Sequence, residues 1–398
     1  MCYFSPPGVP RFFATTRRYL RSSLVGLLTC ASLTAVNTGA QPHPGVELSG
    51  APNHAGASLV EQLAIQNESC DLNKRREVAI LKRADQKIDH TMRALGYYHA
   101  DWQTAIVTED ACWRLRINIT PGEPVMIASV NIELLGDARE DSEFTRFLDH
   151  PPLQAQTQLN HEAYESLKQR LINLAQQRGY PQGHFKQREL LVSRTKNQAE
   201  ISLIYDSGPR YRFGAIAFDE TELNPDFLLG FAPFTDTTPF DAALLSQFQQ
   251  DLLNSGYFSQ VSVLQLTPDP EQLHIPIQVD ATPAPQYSIG LGVGVATDTG
   301  PRGSISFDNK RANRRGHQYQ ALLQLSEVKS SFEFDYDIPL ADPVRERAKF
   351  EFGWGEINTD TSESETWTFG MSKTAAISNR WLQTVQLVYQ NEDFSIAG

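Results

Sequence analysis

Residues 244–258 read Leu-Leu-Ser-Gln-Phe-Gln-Gln-Asp-Leu-Leu-Asn-Ser-Gly-Tyr-Phe. Leu244, Leu245, Phe248 and Leu252 recur at helical spacing and form one apolar stripe, and the stripe stops at Gly256-Tyr257-Phe258. A glycine just past such a stripe suits the left-handed position that ends a helix, and Asp241 sits where its N-cap belongs. The same ending occurs twice upstream. Ile88, Met92 and Leu95 lead into Gly96-Tyr97-Tyr98, and Tyr164, Leu167, Leu171 and Leu174 lead into Gly179-Tyr180-Pro181, with Asn160 as that helix's expected N-cap. The three glycines are separated by about 80 residues, which is a repeat.

Segments of period two follow each helix: Trp113–Ile119, Ala199–Tyr205 and Leu273–Val279. The passage into the next unit is also repeated. Gly122 is followed by a strand around Ile127–Ile132, and Gly208 by one around Phe213–Phe218. Each unit therefore reads β-α-α-β-β, a small sheet with helices on one face.

From Tyr287 onward the helical pattern disappears. Tyr287, Ile289, Leu291, Val293 and Val295 alternate with Ser288, Gly290, Gly292 and Gly294. Phe332–Ile338, Phe350–Trp354 and Trp367–Met371 alternate in the same way, with looser versions at Ile305–Phe307, Tyr319–Leu325 and Trp381–Tyr389. This predicts about seven strands, one face rich in aromatics and the other in Glu, Asp, Gln, Ser and Gly. A transmembrane barrel and a soluble sandwich both give this alternation, and periodicity alone does not separate them.

Context favours the barrel. Arg17, Arg18 and Arg21 precede a short apolar run, Leu24–Val36, and the small residues Thr38-Gly39-Ala40, the pattern of a secretory signal over 1–40. No stretch reaches the roughly 20 apolar residues of a membrane-spanning helix. Cleavage near Ala40 removes Cys2 and Cys30 and leaves Cys70 and Cys112. An even count in an exported chain suggests a disulfide between them, two separate thiols being the alternative.

The order of strand, two helices with a Gly-Tyr ending and two strands, threefold after an export signal, resembles the POTRA domains of outer-membrane assembly proteins. Leu95–Tyr98, the segment Asp206–Gly214 and Leu253–Phe258 are similar to those of TamA-type members of the Omp85 (BamA) superfamily. The expected fold is thus three α+β POTRA repeats, at 41–120, 121–208 and 209–283, followed by part of an antiparallel transmembrane β-barrel at 284–398. The resemblance implies an outer-membrane location with periplasmic POTRA units, a TamB-like inner-membrane-anchored partner docking on the first unit, outer-membrane or autotransporter client proteins, and contact with outer-membrane lipid. It also implies that the first membrane strand, with Tyr287, Ile289, Gly290, Leu291, Gly292, Val293 and Gly294, forms one side of a gate. Barrels of this kind have about sixteen strands and end on an aromatic residue, so a C-terminally truncated chain is expected.

Other classes find little support. The net charge is −12, and −16 without the first 46 residues, which disfavours a phosphate-backbone partner and so nucleic acid. Gly290-Leu-Gly292-Val-Gly294 lacks the spacing and the following helix of a dinucleotide site, and no catalytic triad, P-loop or metal motif stands out, so neither an enzyme nor a cofactor is expected. The one basic cluster, Lys310, Arg311, Arg314 and Arg315, lies between two predicted strands and reads as a solvated turn or a lipid-headgroup contact. The alternatives are a soluble periplasmic POTRA-type scaffold and a two-partner secretion or BamA-type transporter.

Overall fold

A computed structural model describes residues 43–396 apart from 53–54, 110, 220, 298–299 and 379. The expected export signal at 1–40, with Cys2 and Cys30, lies outside the described residues. Three units of like topology come first. One is β1 (Gly45–Ser49), α1 (Gly56–Leu63), α2 (Lys74–Ala94), β2 (Asp101–Thr108) and β3 (Trp113–Thr120). The next is β4 (Met126–Leu135), α3 (Ser142–Asp149), α4 (His161–Gln177), β5 (His184–Ser193) and β6 (Gln198–Asp206). The last is β7 (Arg212–Phe218), α5 (Pro225–Leu229), α6 (Ala242–Asn254), β8 (Phe258–Gln265) and β9 (His274–Pro283).

In every unit the last strand lies at the centre of the sheet, parallel to the first and antiparallel to the one before it. A central strand covered by helices on one face should alternate most strictly, and it does. Trp113, Leu115, Ile117 and Ile119 are buried in β3, Ala199, Ile201, Leu203 and Tyr205 in β6, and Ile275, Ile277 and Val279 in β9. Against β3 pack Ile80, Ala84, Ile88 and Met92 of α2. The helices begin as the sequence indicates: Asn160 accepts from the amides of Glu162 and Ala163, and Asp241 from that of Ala243. Asn73 caps α2 in the same way. Cys70 and Cys112 are bonded, their Cα atoms 5.0 Å apart, which ties the segment before α2 to the start of β3.

The remaining chain forms one sheet of seven strands: β10 (Tyr287–Ala296), β11 (Gly300–Asn309), β12 (Gln318–Ser326), β13 (Lys329–Pro339), β14 (Arg347–Asn358), β15 (Ser362–Ser378) and β16 (Trp381–Ile396). They pair antiparallel in chain order. Among the described residues β10 and β16 each have one neighbour and do not meet, so the sheet is open and resembles an incomplete barrel. No helix among the described residues is long and apolar enough to cross a membrane.

Candidate functional site

The pairing register lines up one apolar row across the whole sheet. Ile289 lies opposite Phe307, Phe307 opposite Ala321, Ala321 opposite Phe334, Phe334 opposite Phe352, Phe352 opposite Phe369, and Phe369 opposite Tyr389. A parallel row two residues away runs through Leu291, Ile305, Leu323, Phe332, Trp354 and Trp367. Because successive side chains point to opposite faces, these rows form a single surface. Leu291 is 79% exposed and Val293 96%. The opposite face holds Ser304, Ser306, Gln324, Glu333, Asp335, Lys349 and Glu351, with Lys349 paired to Asp335 and Glu351. An apolar face this extensive greatly exceeds what a water-exposed surface ordinarily carries.

The expected gate residues all fall on β10, an edge strand. It is held on one side only, through ten registered positions from Tyr287–Asn309 to Ala296–Gly300. Its glycines have a function that the sequence did not reveal. A Cβ on Gly290 would lie 2.4 Å from Ser306 Oγ, one on Gly292 2.4 Å from Ser304 Oγ, and one on Gly294 3.1 Å from Arg302 Nε. The polar side chains of β11 therefore occupy the space that the three glycines leave on the polar face of β10.

The three units present further strand edges. The start of β4 is already covered: the amide of Ile127 donates to Thr157 O at 2.8 Å, and that of Gln156 to Ile127 O at 2.7 Å. The start of β7 is covered likewise, the amide of Phe213 donating to Thr238 O. Residues 129–135 of β4 lie beyond this cover. Beside them is a shallow groove of about 500 Å³ between β4 and α3, lined by Asn131, Glu133, Arg139, Thr145 and Leu148. On β8, Leu264 is exposed, as is Leu266 just past its end.

The Gly-Tyr endings, which the sequence presents as helix stops, are also the joints between units. The amide of Val125 donates to Gly96 O, that of Tyr211 to Gly179 O, and that of Ala284 to Tyr257 O. Gly96 and Gly179 have φ of +86° and +83°. A Cβ on Gly96 would meet Leu159 O at 2.5 Å, and one on Gly179 would meet Phe240 Cβ at 2.7 Å. Leu159 and Phe240 each precede the N-cap of the next unit's second helix, so the end of one helix is seated on the start of another. The third joint fixes the sheet: Tyr257 donates its hydroxyl to Gly316 O at 2.5 Å, and the amide of Asn224 donates to Arg314 O at 2.8 Å. Burial raises the Tyr257 phenol far above its ordinary pKa, keeping it a donor.

The middle joint contains the densest charge network described. Arg178 donates from Nε and Nη2 to both oxygens of Asp141, at 3.0 and 3.1 Å, and from Nη1 to Asp241 at 2.5 Å. Arg210 lies 3.3 Å from Asp141, and Tyr180 donates to it at 3.3 Å. Asp141 is 1% exposed. Burial alone would raise its pKa, but the Arg178 hydrogen bonds, the Glu143 amide and the Arg210 charge outweigh that and hold it below the usual carboxylate range. Burial pushes the Tyr180 phenol up to about 12. At the first joint Tyr98 Oη and His161 Nε2 are 2.8 Å apart, and burial is the main cause lowering the His161 pKa. The sequence marked Asp241 only as an N-cap and Tyr98, Tyr180 and Tyr257 only as parts of the Gly-Tyr endings, and it did not single out Arg178, Asp141 or His161. Among the described residues no group of three or more His, Cys, Asp or Glu is arranged to hold a metal ion.

These units and the open sheet define an architecture of POTRA-like domains followed by part of a barrel. Residues 45–121 match the family model described as POTRA domain TamA domain 1. Among solved structures, the chain is similar to BamA from Haemophilus ducreyi lacking POTRA domains 1–3, with 13% identity and a TM-score of 0.54, over 68% of this chain and 51% of that one. CdiB from Escherichia coli (13% identity, TM-score 0.43, 82% and 60% of the two chains) and CdiB from Acinetobacter baumannii (13%, 0.42, 69% and 55%) also match. The chain spans about half the length of the BamA structure, and the likeness is one of fold.

Proposed function

We propose that this chain is an outer-membrane assembly factor of the Omp85 superfamily, of the TamA type. In this reading residues 41–283 are three periplasmic units and 284–398 lie in the outer membrane. The carrying observation is the uninterrupted apolar surface from Ile289 to Tyr389, backed by a polar face. A sandwich would need a second layer over those rings, and no other described element supplies one. The family match of the first unit and the BamA-like fold support the reading.

The work is binding and strand addition, with no covalent step. An extended client strand needs a row of unpaired backbone groups, and a lipid environment makes such a row costly to leave unpaired. β10 supplies that row along the edge that faces away from β11. The strand that closes the sheet against β10 is the other side of the seam. The free edges of the periplasmic units receive extended client or partner segments in the same way, indifferent to sequence. The resemblance assigns the first unit to a TamB-like partner. A photo-crosslinking side chain at Ile289 or Leu291 tests the gate: adducts to nascent outer-membrane proteins support it. Adducts equally abundant from an exposed control such as Val78 refute it.

A further inference from the structure

Resting on the membrane reading, we infer that the rim of the sheet nearest the third unit binds anionic phospholipid headgroups. Three connections form this rim: the turns 310–317 and 340–346, and the link from β15 to β16 that contains Arg380. The first two contact the third unit, through Gly316 and Arg314 and through Ala341 O, which approaches Gly230. Antiparallel order puts the third connection on the same side. The rim carries Lys310, Arg311, Arg314, Arg315, Arg345, Arg347 and Arg380 against Asp342 and Glu346. The opposite rim is net acidic, with Glu327, Glu356, Asp360, Glu363 and Glu365 against Arg302 and Lys329. A chain of net charge −12 thus concentrates cations at one end of its sheet.

Internal contacts do not absorb them. Arg311 pairs with Glu222 at 3.3 Å and Arg345 with Asp342 at 2.6 Å. Among the described residues, Lys310, Arg314, Arg315, Arg347 and Arg380 have no carboxylate at ion-pair distance, and all five are exposed. Their depth is set by neighbouring rings. Tyr287, Phe307, Tyr319 and Tyr336 follow one another across four strands, with centroids 5.8, 6.0 and 6.4 Å apart, the aromatic girdle of a membrane interface. Lys310 opens the turn that follows β11, three residues after Phe307, which is about 10 Å along a strand. That step carries the cations from the girdle into the headgroup layer. The chemistry they fit is a phosphodiester surface, which would hold the third unit close to the bilayer.

The test is flotation of the full chain with vesicles. Zwitterionic phosphatidylcholine vesicles report the apolar face alone, and no binding to them sinks the membrane reading. Replacing about a third of the lipid with phosphatidylglycerol should raise partitioning tenfold or more, since each cation near an anionic surface contributes roughly a fivefold factor. K310Q/R314Q/R315Q should cut that gain by tenfold or more yet keep phosphatidylcholine binding, whereas K310R/R314K/R315K should retain both. No gain with phosphatidylglycerol, or loss of the gain in the charge-conserving variant, overturns the proposal. So does abolition of the gain by millimolar inorganic phosphate at constant ionic strength, which would identify a site for free phosphate.

Discussion

Replacing Arg178 by Met provides the sharpest test of the middle joint. Among the described residues Arg178 is the one side chain that reaches the N-cap carboxylates of two units, Asp141 at the start of α3 and Asp241 at the start of α6. Asp141 is 1% exposed with Arg178 in place, and removal of the guanidinium leaves it the Glu143 amide, the Tyr180 hydroxyl and Arg210 at 3.3 Å as partners. Breaking a buried ion pair from one side costs about 3–5 kcal/mol. Arg210 remains in place and Arg178 is 20% exposed, so about 2–3 kcal/mol is the better expectation. That corresponds to roughly 30- to 150-fold faster amide exchange for groups protected by the joint, such as Tyr211 N–H, which donates to Gly179 O. Hydrogen-exchange mass spectrometry of segments 141–150, 178–184 and 209–216 measures this, with α2 of the first unit as internal reference. Acceleration below about threefold, or acceleration equal in the first unit, would refute the reasoning.

Three further outcomes follow from the same geometry. Gly179→Ala and Gly256→Ala both place a side chain at φ near +80°, costing about 1–2 kcal/mol in backbone strain. Only the former meets a neighbour, Phe240 Cβ at 2.7 Å against nothing within 4 Å, so urea unfolding should show the larger loss for Gly179→Ala. C70S/C112S should destabilise the first unit by about 2–4 kcal/mol, seen as an earlier thermal transition confined to residues 43–120 in exchange profiles. Protonation of His161 is disfavoured in the folded joint by burial and by His90, opposed by Glu165. Its contribution is complete above pH 6.5, the ordinary imidazole value, and lost as pH falls below that toward the lowered folded pKa. Tyr98 faces it, with Arg93 and Arg194 nearby. Exchange at Val125 N–H should accelerate over this range, and His161→Gln should flatten the dependence.

The repeat was legible because each unit uses the same three signals: a stripe on its second helix, a left-handed glycine and an alternating central strand. The strands of the sheet were legible for a similar reason, as one face of each is apolar over many residues. Their lengths were less so. β15 and β16 run to 17 and 16 residues, well past the alternation at Trp367–Met371 and Trp381–Tyr389, because hydrogen bonding continues where side-chain patterning fades. The joints were illegible for a deeper reason. Arg178, Asp141 and Asp241 come together from three elements 37 and 63 residues apart, and a charged residue capping a helix reads the same whether its partner is water or another unit. The β10 glycines stood in the sequence only as small residues between apolar ones, and it is the hydroxyls of Ser304 and Ser306 in β11 that fill the space two of them leave.

The membrane reading requires that the aromatic surface of the sheet meet hydrocarbon. The most direct measurement uses a chain keeping Trp354 and Trp367, with the other three tryptophans replaced by Phe, reconstituted in vesicles whose acyl chains carry bromine. Strong quenching of both indoles, absent in unbrominated lipid, is the predicted result. Blue-shifted emission that bromine leaves untouched would place those rings inside a protein core and contradict the account.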